Sequence, residues 1–179
     1  MKLRLMKEQD LERVLCWRND LSVRKNMYTS HEISRDEHNS WFNSVRNDST
    51  KRHLIFSIDN VDLGVINFTD INPRFKSASW GFYSAVDSPA GTGLCMEYCA
   101  LNYAFEELNL HKLNCEVIEF NSAVVNLHKK CGFQVEGILR DCYSDGESFF
   151  NVVRLGIVRD EWLETRVAVH NRINKRSAK

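Results

Sequence analysis

The stretch between Pro89 and Phe105 constrains the fold most, because a glycine loop there runs directly into a long apolar segment. Gly91 and Gly93 follow the proline, and this pattern is typical of a tight loop that opens a buried helix. The first amides of a helix have no acceptor within it and lie at the positive end of its dipole. Glycines at this position favour an anion-binding site, whose ligand would be phosphate or pyrophosphate. The pattern is explained equally well if the glycines only help the helix to begin and no ligand binds there.

The length and composition of the chain predict a single domain. It has 179 residues, 43% of them apolar, and no Pro-rich or Gly-rich linker divides it. We expect this domain to span residues 1–168 and a basic, frayed tail to follow over residues 169–179.

The charge balance argues against two classes of partner. Twenty-four basic and 24 acidic residues cancel, so no overall field attracts nucleic acid or an anionic membrane. The N-terminus lacks the apolar core of a signal peptide, and nowhere do about 18 apolar residues run together. We therefore expect a cytoplasmic protein that binds neither nucleic acid nor membrane.

The cysteines predict neither disulfides nor a metal site. Six are present without a C-x-x-C pair, and in a reducing compartment they are most simply small buried hydrophobic residues. His128 with Cys131, and His111 with Cys115, are the nearest approach to a zinc motif, but four-ligand spacing is missing. We expect no metal cofactor.

Hydrophobic periodicity predicts the order β-α-α-β-β-β-α-β-α-β-β, with a further helix at the C-terminus. Ser34 and Glu37 form a capping box, Asp145 and Gly146 predict a hairpin turn, and Gly132 predicts a left-handed helix end. The helix after the glycine loop is apolar nearly all round, so it must be covered on more than one side. The predicted strands span residues 2–6, 53–59, 63–71, 79–86, 112–119, 133–142 and 148–158; the main helices begin near residues 8, 35, 94, 122 and 159.

This element order, together with two motifs, resembles the GNAT family of acyl-CoA N-acetyltransferases over essentially the whole chain. The motifs are the loop Pro89-Ala90-Gly91-Thr92-Gly93 and, after Asn121, the run Leu127-His128-Lys129-Lys130-Cys131-Gly132-Phe133. The resemblance implies an α/β (α+β) fold with a central mixed, mostly antiparallel seven-stranded sheet flanked by about four helices. It also implies acetyl-CoA as cosubstrate, bound by Val86, Gly91, Thr92, Gly93, Leu94 and Asn121.

Ser88 departs from the phosphate loop of the family, where arginine or glutamine usually stands. A hydroxyl donates one hydrogen bond but brings no charge. Backbone amides and the helix dipole, the latter worth about 0.3–1 kcal/mol, would then carry more of the pyrophosphate. Lys129 or Lys130 is a candidate to assist them.

Several shorter runs are similar to the sugar-nucleotide branch of the family, whose acceptor is UDP-4-amino-4,6-dideoxy-N-acetyl-β-L-altrosamine in pseudaminic acid synthesis. They include Trp17-Arg18-Asn19, Met27-Tyr28, His38-x2-Trp41-Phe42 and Ala78-Ser79-Trp80-Gly81-Phe82-Tyr83. The resemblance implies a UDP-amino-sugar whose diphosphate meets Arg18 or Arg24, since guanidinium forks match phosphate oxygens. Its uracil and sugar would contact Met27, Tyr28, His38, Trp41 and Tyr83, although a core position stays open for Met27 and Trp41.

Amide formation needs a neutral acceptor amine, a donor for the oxyanion and a proton for the leaving thiolate. By resemblance, the thioester lies between strands 79–86 and 112–119, with the N–H near Val86 facing its oxygen. Glu119 would take the proton of the amine, or be only a solvated strand end. Glu116 has the opposite strand parity and is the poorer candidate for this base. His128 stands where the family often has tyrosine beside the sulfur, and would protonate the thiolate or only pack.

Other acceptors stay open because a fold does not fix a function. GNAT relatives also acetylate polyamines and protein N-termini. A polyamine site should be lined by carboxylates, and Glu32, Asp36 and Glu37 keep that reading open. A non-catalytic coenzyme A-binding module is a further class, and a homodimer is an assembly state that the sequence leaves open.

Overall fold

Residues 1–177, the part of the chain that the computed structural model describes, contain seven strands that form one sheet. In chain order they are β1 (Lys2–Leu5), β2 (Arg52–Ile58), β3 (Val61–Asn72), β4 (Ser77–Ser84), β5 (Lys112–Ile118), β6 (Gln134–Ser144) and β7 (Phe149–Val158). The order across the sheet is β1-β2-β3-β4-β5-β7-β6. Neighbouring strands are antiparallel except β4 and β5, which are parallel. The predicted mixed, mostly antiparallel seven-stranded sheet is confirmed.

Six α-helices accompany the sheet within these residues: α1 (Leu11–Asn19), α2 (Leu21–Arg24), α3 (Arg35–Val45), α4 (Thr92–Asn102), α5 (Ser122–Lys130) and α6 (Arg159–Ser177). A 3-10 turn, Glu8–Asp10, precedes α1, and a π-helical segment, Tyr103–Glu107, extends α4. Helix α2 is absent from the predicted order, because one turn is too short to show a helical period. It begins after Asp20, whose carboxylate accepts from the Ser22 amide at 2.8 Å.

Three local signals in the sequence are confirmed. The Ser34 hydroxyl accepts from the Glu37 amide at 3.2 Å and caps α3. Gly132 ends α5 with a φ of 107°, in the left-handed region that favours glycine. In the β6–β7 hairpin, the Asp145 carboxylate accepts from the Ser148 amide at 2.8 Å.

Side chains of the sheet alternate between two buried faces. On one face, Phe56 and Trp80 pack with Leu101 of α4. On the other, Ile55 packs with Phe42 of α3. Because the central strands are covered on both faces, their apolar residues run together rather than alternating cleanly with polar ones.

Helix α4 is covered on two sides, as its all-round apolar character predicts. The sheet covers one side, and α6 covers another through Trp162, whose indole donates to Asn102 Oδ1 at 3.1 Å. Val169 and Ile173, one turn apart on α6, are also buried. Helix α6 therefore continues through the segment predicted to be a frayed tail and ends at Ser177; residues 178–179 of that tail lie outside the described residues.

Candidate active site

The sheet opens where the parallel strands β4 and β5 separate. Their ladder pairs Ser77–Ser79 with residues 112–114, and residues 1–177 show no further pairing between them although both strands continue. A cavity of about 410 Å³ lies in this opening, which we call the cleft. Unpaired strand edges need hydrogen-bond partners, so the cleft suits an extended ligand that carries amide groups.

The cleft passes through the sheet, so side chains from both faces line it. Trp80 and Phe82 of β4 point to the face covered by α4, where His128 of α5 also lies. Tyr83 of β4 and Glu116 of β5 have the opposite strand parity and point to the other face. A ligand held between the strands would therefore meet different chemistry on each side.

The glycine loop lies at the start of α4, as predicted. Gly91 is the N-cap residue and has a φ of 98°, which favours glycine. The Thr92 amide donates to the Pro89 carbonyl at 3.1 Å, and the Leu94 amide donates to the Gly91 carbonyl at 3.0 Å. The Gly91 and Gly93 amides have no backbone acceptor in the described part of the chain. They are therefore the donors of this group that a bound anion could engage.

Ser88 does not direct its hydroxyl hydrogen toward the loop. The hydroxyl donates to the Leu63 carbonyl at 3.0 Å. This bond uses the one hydrogen that the side chain has to offer. The absence of an arginine or glutamine at this position is thus not compensated by the serine.

Arg18 lies in the wall of the cleft and is only partly satisfied. Its Nη2 donates to the Thr29 carbonyl at 2.8 Å, whereas Nη1 is buried and has no partner within residues 1–177. Burial lowers the pKa of Arg18, and nearby Tyr83 and Glu37 oppose that shift. A buried, unpartnered donor costs free energy, so this nitrogen is poised to donate to a ligand.

Glu116 stands between the cleft and a second cavity of about 470 Å³. The Tyr28 hydroxyl donates to its Oε2 at 2.8 Å, and Arg154 Nη1 lies 3.6 Å from its Oε1. Burial, and then the hydrogen bond to Glu116, raises the pKa of Tyr28. An ionisable carboxylate is thus held beside the opening between β4 and β5.

His128 lines the cleft from α5 and is only 2% exposed. Its Nδ1 lies 2.8 Å from Oε1 of Glu97, a fully buried residue of α4. The ring also packs against Trp80 and Phe133, with centroid separations of 5.5 and 5.1 Å. The imidazole is therefore fixed in place, with one nitrogen engaged by α4.

Six of the predicted site residues lie in the walls of the cleft: Arg18, Met27, Tyr83, Val86, Asn121 and His128. Their roles stay predictions. Tyr28 reaches the same region through its hydrogen bond to Glu116.

Three predicted acceptor residues lie away from the cleft. His38 is buried and stacks on Trp41 with a centroid separation of 5.1 Å, and Trp41 packs edge-on against His53 at 4.9 Å. The apolar stripe of α3 faces the sheet, and Trp41 is half-buried there and packs against the core, the alternative that the sequence left open. Arg24 donates to the Ser30 carbonyl at 3.5 Å, and its buried Nε has no partner within residues 1–177. Unlike Arg18, it is not among the residues that line the cleft.

Glu119 also lies away from the cleft. Its carboxylate accepts from the backbone and side-chain amides of Asn151, at 2.8 and 3.0 Å. Strand β5 ends one residue earlier, and the chain turns toward β7 at this point. Glu116, which strand parity disfavoured, lines the cleft instead because the opening admits side chains from both faces of β5.

Sequence reasoning missed two polar residues of this region. Asn67 of β3 lines the cleft, and its Oδ1 lies 2.7 Å from His53 Nδ1; nothing in the sequence distinguishes it from other strand residues. Glu97 pairs with His128. A lone carboxylate within an apolar helix is the signal that could have identified it.

Within residues 1–177, no group of three or more His, Cys, Asp and Glu side chains is arranged to hold a metal ion. A search of the same residues finds no helix with the length and apolar character needed to cross a membrane.

The site combines a glycine loop that opens a buried helix with a cleft between two separating parallel strands. This combination defines the class of protein as an acyl-CoA-dependent N-acetyltransferase. Residues 1–134 match the family model of the acetyltransferase (GNAT) domain. The chain therefore belongs to the GNAT acetyltransferase family, as the sequence predicted, and acetyl-CoA is its acetyl donor.

The similar proteins are all acetyltransferases, and some of their names state a polyamine acceptor. Acetyltransferase PseH of Campylobacter jejuni is 26% identical over 147 residues, which are 82% of this chain and 87% of that protein. The spermidine N(1)-acetyltransferase of Escherichia coli K12 is 26% identical over 167 residues, 91% of this chain and 88% of that protein. A structure of spermidine N-acetyltransferase from Vibrio cholerae with CoA and spermine superimposes with a TM-score of 0.84 at 25% identity, covering 90% of this chain and 97% of that one. These proteins share acetyl transfer, and two of the three are named for spermidine as the acceptor.

Proposed function

We propose that the protein transfers the acetyl group of acetyl-CoA to the 4-amino group of a UDP-4-amino-4,6-dideoxy-N-acetyl sugar, in pseudaminic acid synthesis. The observation that carries this proposal is the buried, unpartnered Nη1 of Arg18 in the wall of the cleft. A guanidinium matches the oxygens of a diphosphate. A nucleotide sugar brings a diphosphate and an amine on one molecule, whereas a polycation would be repelled by Arg18.

The proposed donor site follows the glycine loop and the edge of β4. The pyrophosphate of acetyl-CoA meets the Gly91 and Gly93 amides, which have no backbone acceptor within the described residues. The pantetheine arm pairs with the free edge of β4 as far as Val86, and the N–H there donates to the thioester oxygen. The acetyl group then lies in the cleft.

Glu116, rather than Glu119, is the proposed base, because it is the one of the two that lines the cleft. The lone pair of the neutral acceptor amine attacks the thioester carbon, and Glu116 takes the one proton that the nitrogen must lose to become an amide. The negative charge that develops on the thioester oxygen is stabilised by the N–H near Val86. As the C–S bond breaks, His128 gives a proton to the sulfur of the departing coenzyme A.

A polyamine is the second candidate acceptor. Asp70 and Glu116 both line the second cavity, and carboxylates are the groups that attract cationic amines. The Vibrio cholerae relative has spermine bound. Arg154 in the same cavity offsets one of the two negative charges, which makes this site weaker for a polycation.

Compartment and assembly belong to the same proposal. None of the six cysteines forms a disulfide within residues 1–177, which fits a reducing cytoplasm. A homodimer stays a prediction, which light scattering at working enzyme concentration can measure.

The acceptor is decided by a thiol-release assay with acetyl-CoA and three amines: a UDP-4-amino-sugar, spermidine and a peptide with a free N-terminus. We expect the UDP-sugar to have the highest kcat/KM. Preference for spermidine would overturn the nucleotide-sugar proposal and favour the polyamine. Tight binding of coenzyme A without turnover of any amine would favour a non-catalytic module.

A matched pair of arginine variants tests the anion site. Arg18→Met should raise KM for the nucleotide sugar about 10- to 100-fold, the equivalent of one charge-assisted hydrogen bond of about 1.5–3 kcal/mol. KM for acetyl-CoA should not change. Arg24→Met removes the same charge outside the cleft and should leave both constants nearly unchanged. Equal effects of the two substitutions would contradict the role of Arg18.

A further inference from the structure

The apolar helix α4 contains one carboxylate at a position with no access to solvent. Glu97 is 0% exposed, and its Oε1 lies 2.8 Å from Nδ1 of His128. Burying a charge costs several kcal/mol unless it is paired. The imidazole of His128 is the partner that the fold supplies, from a helix 31 residues further along the chain.

The surroundings of the pair fix the ring and supply little competing charge. Trp80, Phe82 and Phe133 pack around the imidazole with centroid separations of 5.5, 6.1 and 5.1 Å. The titratable neighbours are Cys115 of β5 and Cys131 at the end of α5. Burial, and then the charge of Glu97, raises the pKa of both thiols, so they stay neutral.

Three further charged groups act on this cluster: Glu116 and Glu136 add to the rise of the Cys115 pKa, and Arg172 of α6 opposes the rise of the Cys131 pKa. Arg172 Nη1 itself donates to the Lys130 carbonyl at 2.9 Å. The arginine is therefore engaged by backbone, while the carboxylate of Glu97 is engaged by His128.

We propose that Glu97 is a positioning residue that holds His128 with Nδ1–H directed into the core and leaves Nε2 to face the cleft. This proposal rests on the proposed function, in which His128 is the acid. A carboxylate that accepts from one ring nitrogen fixes the tautomer and orientation of an imidazole and stabilises the imidazolium. Glu97 touches neither substrate and acts through His128.

The proton balance of the step is simple. When the tetrahedral intermediate collapses, the C–S bond breaks and its electron pair goes to sulfur. The proton on Nε2 transfers to that sulfur, which gives the thiol of coenzyme A and a neutral imidazole. The proton released by the acceptor amine to Glu116 passes to solvent, and His128 regains one from solvent before the next turnover.

Glu97→Gln tests the proposal, because glutamine keeps the size and one acceptor oxygen but removes the charge. We expect kcat to fall at least about 10-fold while KM for acetyl-CoA stays within about 2-fold. Glu107→Gln makes the same chemical change at an exposed residue and should leave kcat unchanged. A folded Glu97→Gln enzyme with wild-type kcat would overturn the proposal.

A double-variant cycle separates positioning from general structural damage. If Glu97 acts only through His128, then Glu97→Gln should not lower kcat further in a His128→Phe background. Independent, multiplicative losses in the double variant would show that Glu97 acts elsewhere and would overturn the proposal.

Nitrogen-15 NMR of the histidine rings gives a readout that needs neither activity nor a Glu97 variant. The His128 signal is assigned by its loss in His128→Phe, and the wild type should show hydrogen on Nδ1. A bare Nδ1 with hydrogen on Nε2 overturns the proposal even if Glu97→Gln does not fold. If the wild type acetylates no amine, the proposed function fails, whereas the NMR result still decides the arrangement of the pair.

Discussion

Gly91 and Gly93 provide a matched test of the phosphate loop, because the same added methyl group meets two different backbones. Gly91 has a φ of 98°, where a side chain is strained. Gly93 lies within α4, and a Cβ there would be 3.4 Å from Leu127 Cδ2 and 3.7 Å from Phe82 Cε2. These are ordinary van der Waals distances, so we expect alanine to be accepted at residue 93 and resisted at residue 91.

The expected changes in the free energy of unfolding follow from the backbone conformation at each glycine. A left-handed alanine costs about 1–2 kcal/mol, and the lower entropy of the unfolded chain returns about 0.4–1 kcal/mol. Gly91→Ala should thus lose about 1 kcal/mol, which lowers Tm by about 2–4 °C in a chain of this size. Gly93→Ala removes a glycine from a helix and should gain about 0.4–1 kcal/mol.

Binding should separate the two variants more sharply than stability does. If Gly91→Ala turns the loop amides away from the pyrophosphate, one hydrogen bond to a charged group is lost, worth about 1.5–3 kcal/mol. Titration calorimetry with coenzyme A should then show Kd raised at least about 10-fold. Gly93→Ala should bind as the wild type does. Equal Kd values for a folded Gly91→Ala and the wild type would refute the assignment of this loop to the pyrophosphate.

Two further predictions concern carboxylates. Glu116→Gln should lower kcat about 100-fold at neutral pH if this residue is the base, whereas Glu119→Gln, outside the cleft, should not; equal kcat values would contradict the assignment. Asp10→Asn should cost about 1–3 kcal/mol in urea unfolding at pH 7, because the carboxylate is 1% exposed and accepts from two arginines. The Arg4 guanidinium lowers the pKa of Asp10 in the folded protein. The stability that ionised Asp10 contributes is therefore complete above its unfolded pKa of about 3.9 and is lost as the pH falls through the folded pKa. A stability difference between the variant and the wild type that persists at the lowest pH would contradict this.

Local signals predicted the fold well because they depend on neighbouring residues. Period-two runs identified the strands, and Gly132 and Asp145 marked a helix end and a turn correctly. The fold predictions failed where contacts between distant parts of the chain determine the local structure. Val169 and Ile173 are separated by polar and basic residues, and only their packing on the core shows that α6 continues past residue 168.

The site was less predictable because its chemistry depends on contacts between distant residues. The pairing of His128 with Glu97 joins two helices, and the Tyr28 hydroxyl reaches Glu116 across 88 residues of sequence. Neither contact leaves a local pattern. The sequence could place His128 on the correct helix, but whether its ring faces a carboxylate depends on how α4 and α5 pack.

Overall similarity does not identify the acceptor, because PseH and spermidine N(1)-acetyltransferase are both 26% identical to this chain. The charge of the residues that line the cleft discriminates between acceptors better than overall sequence identity does. Two like charges 4 Å apart repel by about 4 kcal/mol at an effective dielectric constant of about 20, which is roughly a thousandfold in affinity. A polyamine nitrogen beside the buried Nη1 of Arg18 would meet this repulsion, whereas a phosphate oxygen would meet an attraction of similar size. This cost applies beside Nη1 of Arg18, which has no hydrogen-bond partner among the described residues, so a polyamine bound in the cleft would have to place its charges near Glu116 instead.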